Sequence, residues 1–123
     1  MEVEICVEPG TDISVVKKEY PDIDEDGDDG TRFFVGESSD GTMQEEREWL
    51  DYDEAVACCG FVEGAIPGAT VLIEGNGAWA QGMISRKDFS GLAISPKVRR
   101  SYEKRSKLFW KHFNRGQKAR KAK

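Results

Sequence analysis

No apolar run in this sequence exceeds a few residues, so no segment predicts a helix through a bilayer. A basic leader with an apolar core is missing too. Met1 is followed by Glu2 and Glu4, and no secretory signal is expected. Cysteine is scarce and odd in number: Cys6, Cys58 and Cys59 lack framework spacing, which predicts reduced thiols in a cytoplasmic setting. Cys58 and Cys59 are neighbours on a predicted helix, point in different directions and cannot chelate as a Cys-x-x-Cys pair does. Buried structural thiols are expected, and no metal site. Histidine occurs once, at His112, with no nucleophile elbow or catalytic cysteine setting to accompany it. Gly75-Asn76-Gly77 lacks the lysine and hydroxyl residue that follow in a phosphate loop. No residue pattern asks for a cofactor, and the chain reads as non-enzymatic.

What is present in quantity is charge, and it is divided. The chain has 123 residues, of which 38% are hydrophobic and 33% charged, enough for one domain with a modest core. Residues 1–60 hold 19 acidic residues against Lys17, Lys18, Arg32 and Arg47, a balance of −15. Residues 85–123 hold 14 bases against Asp88 and Glu103, a balance of +12. The net charge of −5 conceals this polarity. Exposed charges are screened beyond roughly 8 Å at physiological salt, so the two poles act separately if the fold keeps them apart. If it joins them, they neutralise each other.

Val3, Ile5 and Val7 alternate with Glu2, Glu4, Cys6 and Glu8, the period of a half-buried strand, which Pro9-Gly10 ends. Thr11 or Asp12 predicts the start of a short helix stopped by Pro21, although Ile13, Val15 and Val16 also suit a strand. Thr31 to Val35 predicts a second strand and Ser38 to Thr42 a turn. Asp51 or Asp53 caps a helix through Cys59 that Gly60 stops. Ala69–Glu74 and Ala78–Ser85 predict a hairpin across Gly75-Asn76-Gly77, with Val71, Leu72, Ile73, Trp79, Met83 and Ile84 contributing its buried face. Ser95 as cap and Pro96 in the first turn open a last helix, which Gly116 ends. The expected architecture is a small α+β domain over residues 1–115. An antiparallel sheet carries one or two short helices and the long C-terminal helix, and residues 116–123 form a basic, disordered tail. No internal repeat is present.

Two segments carry the functional expectations. The first is the acidic loop Asp22-Ile-Asp24-Glu-Asp26-Gly27-Asp28-Asp29-Gly30, which begins like a calcium loop. The closing glutamate of such a loop would fall at Phe33, so a solvated acidic turn is the expected reading. The second is the last helix. Val98, Tyr102, Leu108, Phe109 and Phe113 predict an apolar stripe against the sheet. Lys97, Arg99, Arg100, Lys104, Arg105, Lys107, Lys111 and Arg115 predict a cationic face, to which the tail adds Lys118, Arg120, Lys121 and Lys123, with Tyr102, Trp110 and His112 as rings for stacking on bases. The leading expectation is a binding protein that meets nucleic acid or a nucleoprotein complex through this helix. A rival reading makes the acidic half a nucleic-acid mimic that occupies a basic nucleic-acid-binding protein. Its contacts would be Asp22, Asp24, Asp26, Asp28, Asp29, Glu45, Glu46 and Glu48. Head-to-tail self-assembly through the two poles is a third possibility, and membrane-surface binding ranks last because the apolar stripe is already needed for the core.

Overall fold

The computed structural model describes residues 1–36 and 50–122. The turn expected at Ser38 to Thr42 lies outside the described residues, as do Glu45, Glu46 and Glu48. Four strands, β1 (Val3–Cys6), β2 (Asp24–Glu25), β3 (Arg32–Val35) and β4 (Thr70–Ile73), form one antiparallel sheet in the order β2-β3-β1-β4. The helices are α1 (Ser14–Glu19), α2 (Tyr52–Ala65), α3 (Ala78–Ile84) and α4 (Pro96–Lys121). The fold is α+β.

The alternation in β1 sets the register. Val3 stands opposite Val35 and Ile73, and Ile5 opposite Phe33 and Val71, so one face of the sheet is a continuous apolar row. That row is buried against α2. Asp51 caps α2 in a capping box: its carboxylate accepts from the Glu54 N–H at 2.8 Å, and the Glu54 side chain accepts from the Asp51 N–H at 3.1 Å. Apolar on nearly every side, α2 is the middle layer, with the sheet below it and α4 above.

Several sequence expectations are corrected here for tertiary reasons. Gly60 does not stop α2, which continues to Ala65, and Gly116 does not stop α4, which continues to Lys121 through most of the stretch read as a disordered tail. Both glycines lie where the two helices touch. A Cβ on Gly60 would sit well inside contact distance of the Phe109 carbonyl oxygen, one on Gly64 would meet Phe113 O, and one on Gly116 would meet Phe61 O. The glycines are there for close approach of two backbones, which small residues on facing helices allow.

The hairpin is corrected too. β4 pairs with β1, and Ala78–Ile84 is helical. The free edge of β4 is met by a side chain instead of a strand: Gln81 Oε1 accepts from Ile73 N–H at 3.0 Å and its Nε2 donates to Val71 O at 3.2 Å. One glutamine amide thus satisfies the two backbone groups that a hairpin partner would have satisfied. Val71, Ile73, Met83 and Ile84 are buried as expected, but Leu72 and Trp79 are 45% and 57% exposed. Leu72 is on the outer face of the sheet beside Glu4. The last helix packs chiefly on α2 rather than on the sheet, and Val98, expected in its buried stripe, is 37% exposed.

Candidate functional site

The described structure holds a cationic helix, an acidic edge and three thiols. Ser95 and Pro96 start α4 as read from the sequence, with Ser95 Oγ accepting from the Val98 N–H at 3.3 Å. Phe109, Ser106 and Gly116 mark its buried side. At about 100° per residue, the opposite side of the helix carries two files of cations about 60° apart, each repeating every seven residues. One file is Lys97, Lys104, Lys111 and Lys118; the other is Arg100, Lys107 and Lys121, with Asn114 in the remaining place. All eight side chains are exposed. Among the described residues, none of the seven cations makes a hydrogen bond or an ion pair. From Lys97 to Lys121 the files extend about 36 Å at 1.5 Å per residue.

Of the residues expected to form this face, the structure brings Lys97, Arg100, Lys104, Lys107 and Lys111 together and gives Arg99, Arg105 and Arg115 different work. Arg105 lies on the flank over the rings of Tyr52 and Tyr102, donates to Ser101 Oγ at 2.9 Å and faces Asp53 at 3.9 Å. Arg115 clasps α4 to α1 through Glu19 at 2.6 Å and donates to His112 Nδ1 at 2.7 Å. Arg99 donates to Leu92 O at 3.3 Å. Trp110 is half-buried and already engaged. Its Nε1–H donates to Ser85 O at 3.2 Å, its ring packs edge-on against Phe109 and Phe113, and Lys87 Nζ stands 4.1 Å above it. Lys97, Lys118 and Lys121 complete the files. Lys97 belongs to the face as read from the sequence, and the places of Lys118 and Lys121 in the files are visible there once α4 is not ended at Gly116.

Two of the acidic pole's carboxylates, Glu19 and Asp53, do reach α4, both at its flanks. The acidic loop itself is on the far edge of the sheet, where Asp24–Glu25 pairs with β3. Asp29 accepts from the Thr31 hydroxyl at 2.8 Å and from its N–H at 3.2 Å, and these bonds hold its carboxyl below the usual range. Asp26 pairs with Arg32 at 3.0 Å. Phe33, in the place of a calcium loop's closing glutamate, is 3% exposed in the core. Among the described residues no group of three metal-ligating side chains converges. Millimolar calcium is therefore expected to leave the melting temperature unchanged; a clear rise in a thermal scan would show a cation bound to the loop.

Cys58 and Cys59 are fully buried on α2. Burial pushes the Cys58 thiol up to about 12, even though Tyr20 hydrogen-bonds to it, and raises Cys59 as well. Both thiols are protonated at neutral pH. His112 is lowered, first by burial and then by Arg115 and Lys111 beside it. Its Nδ1 accepts from Arg115, a group that always donates, so the imidazole is tied into the α1–α4 clasp. A groove of about 570 Å³ lies between α1 and the C-terminal part of α4, and its Glu19 and Arg115 are already paired. No helix among the described residues is long and apolar enough to cross a membrane. Comparison with protein-family models, with curated proteins and with solved structures finds no match to this chain.

Proposed function

We propose that this protein is a non-enzymatic, cytoplasmic binding protein that engages nucleic acid, alone or within a nucleoprotein assembly, through the outer face of α4. One observation carries the reading: seven exposed cations stand in two files on one helix, without hydrogen-bond or ion-pair partners among the described residues, in a chain whose net charge is −5. Cations gathered on one face raise the local positive potential there and attract a polyanion even where the chain's net charge is negative. The acidic-mimic reading has thinner support, since Asp26 and Asp29 are turned to Arg32 and Thr31.

The test is a salt titration of binding to a labelled mixed-sequence oligonucleotide. Contacts to about four to six phosphates give a log–log slope near −3 to −5, equivalent to roughly 60- to 1,000-fold weaker binding between 50 and 200 mM salt. Replacing Lys104, Lys107 and Lys111 together by glutamine is expected to flatten the slope by about 3 and to weaken binding to all sequences alike. The melting temperature should not fall, because these side chains are exposed and make no hydrogen bond or ion pair among the described residues. An intact chain that binds no oligonucleotide at 50 mM salt would refute the proposal.

A further inference from the structure

We infer that the outer face of α4 fits a double helix rather than a single strand, an inference that rests on the polyanion reading above. Three observations on α4 lead there. First, the aromatic rings are withdrawn from the cationic face. Trp110 is bonded to Ser85 O and covered by Lys87, Tyr102 meets Trp79 edge-on, and Phe109 and Phe113 line the seam with α2. Sequence-tolerant binding of single strands depends on stacking bases against such rings, and stacking offsets the loss of freedom when a flexible strand is ordered. This face offers cations alone. A ligand whose phosphates are already ordered is then favoured, and a duplex carries one charge per about 1.7 Å of axis with its bases stacked internally.

Second, the cations form two files rather than one. A groove of a double helix is bordered by two phosphate strands, so each file has a strand to meet. A lone strand can follow only one. Third, the dimensions agree. The files run about 36 Å, close to the 34–36 Å of one turn of B-form DNA, and an α-helix of about 10–12 Å diameter matches a major groove about 12 Å wide. Arg100 and Asn114 are the members with planar forks suited to a base edge, and they are four turns apart, so recognition is by backbone and shape.

The experiment measures anisotropy of the full chain with a 20-base-pair DNA duplex, a 20-base-pair RNA duplex, an unstructured 20-nucleotide strand and polyglutamate of matched charge, at 50 mM salt. Duplex binding is expected to be at least ten-fold tighter than single-strand binding, and indifferent to a scrambled sequence. Preference for the DNA duplex would support the inference; preference for the RNA duplex, whose A-form major groove is too deep and narrow to admit a helix, would overturn the groove fit. Lys104→Gln with Lys111→Gln, from one file, and Lys107→Gln with Lys121→Gln, from the other, should each reduce the duplex salt slope by about two; an effect confined to one file would overturn the two-strand geometry. Trp110→Phe should leave both ligands unaffected. Single-strand binding equal to or tighter than duplex binding, or sensitive to Trp110→Phe, would overturn the inference while the polyanion reading stood. Polyglutamate binding as tight as duplex binding would overturn it in favour of an acidic protein surface, and no binding to any of the four would remove the polyanion reading itself.

Discussion

Phe109→Ala is expected to lower the unfolding free energy by about 3–5 kcal/mol, read as a shift in chemical-denaturation midpoint at constant slope. The side chain is 2% exposed, stacks along Phe113 and meets Trp110 edge-on, so truncation leaves a void in the layer between α2 and α4. A domain of this length has in total about 6–18 kcal/mol, so the loss is a large share of it. Leu72→Ala should change stability by well under 1 kcal/mol, since the residue is 45% exposed on the outer face of the sheet. Both residues look alike in sequence, as large apolar side chains in β-favouring or amphipathic stretches. Equal effects would show that the sheet's outer face is covered and that its exposure is misassigned.

Gly60→Ala and Gly116→Ala are expected to destabilise by about 1–3 kcal/mol each, because overpacking must separate the helices. In each case the obstacle is a backbone carbonyl of the opposite helix, Phe109 O or Phe61 O, which has no rotamer through which to withdraw. Gly82→Ala is the control. It lies in α3 with nothing within 4 Å of an added Cβ, so the same substitution should be neutral or slightly stabilising through helix propensity. Thermal melts of the three variants decide the matter: if Gly60→Ala raises the melting temperature as Gly82→Ala does, α2 and α4 do not approach as closely as described. The same seam is what presents the cationic face, since it anchors the buried side of α4 directly opposite the two files.

Much of the local structure was legible because local rules act on it. Alternation gave β1, the Asp51 and Ser95 caps gave the starts of α2 and α4, and Pro96 fitted the first turn. The two glycines were misread because the sequence signal for a helix stop and the signal for a close helix crossing are the same residue. Only the presence of Phe109 O and Phe61 O opposite them tells one from the other. The expected hairpin failed for a related reason. Gly75-Asn76-Gly77 does make a turn after β4, but Ala78, Ala80, Gln81 and Met83 are good helix formers, and the Gln81 amide takes the strand edge that a second strand would have occupied.

For the candidate site, the sequence by itself determined that the charge is divided, that the bases gather on one C-terminal helix and that their period is helical. Charge and period are properties of neighbouring residues, and no tertiary contact can move them. Which cations remain free was decided only by the tertiary structure. Glu19 and Asp53 come from other helices and reach Arg115 and Arg105, while Ser85 and Lys87 occupy Trp110. Partners separated by 96 residues, as Glu19 and Arg115 are, leave no mark in local sequence. Their meeting depends on α2 standing between the sheet and α4, and that layering rests on glycines whose purpose becomes visible only when the opposing helix is in place.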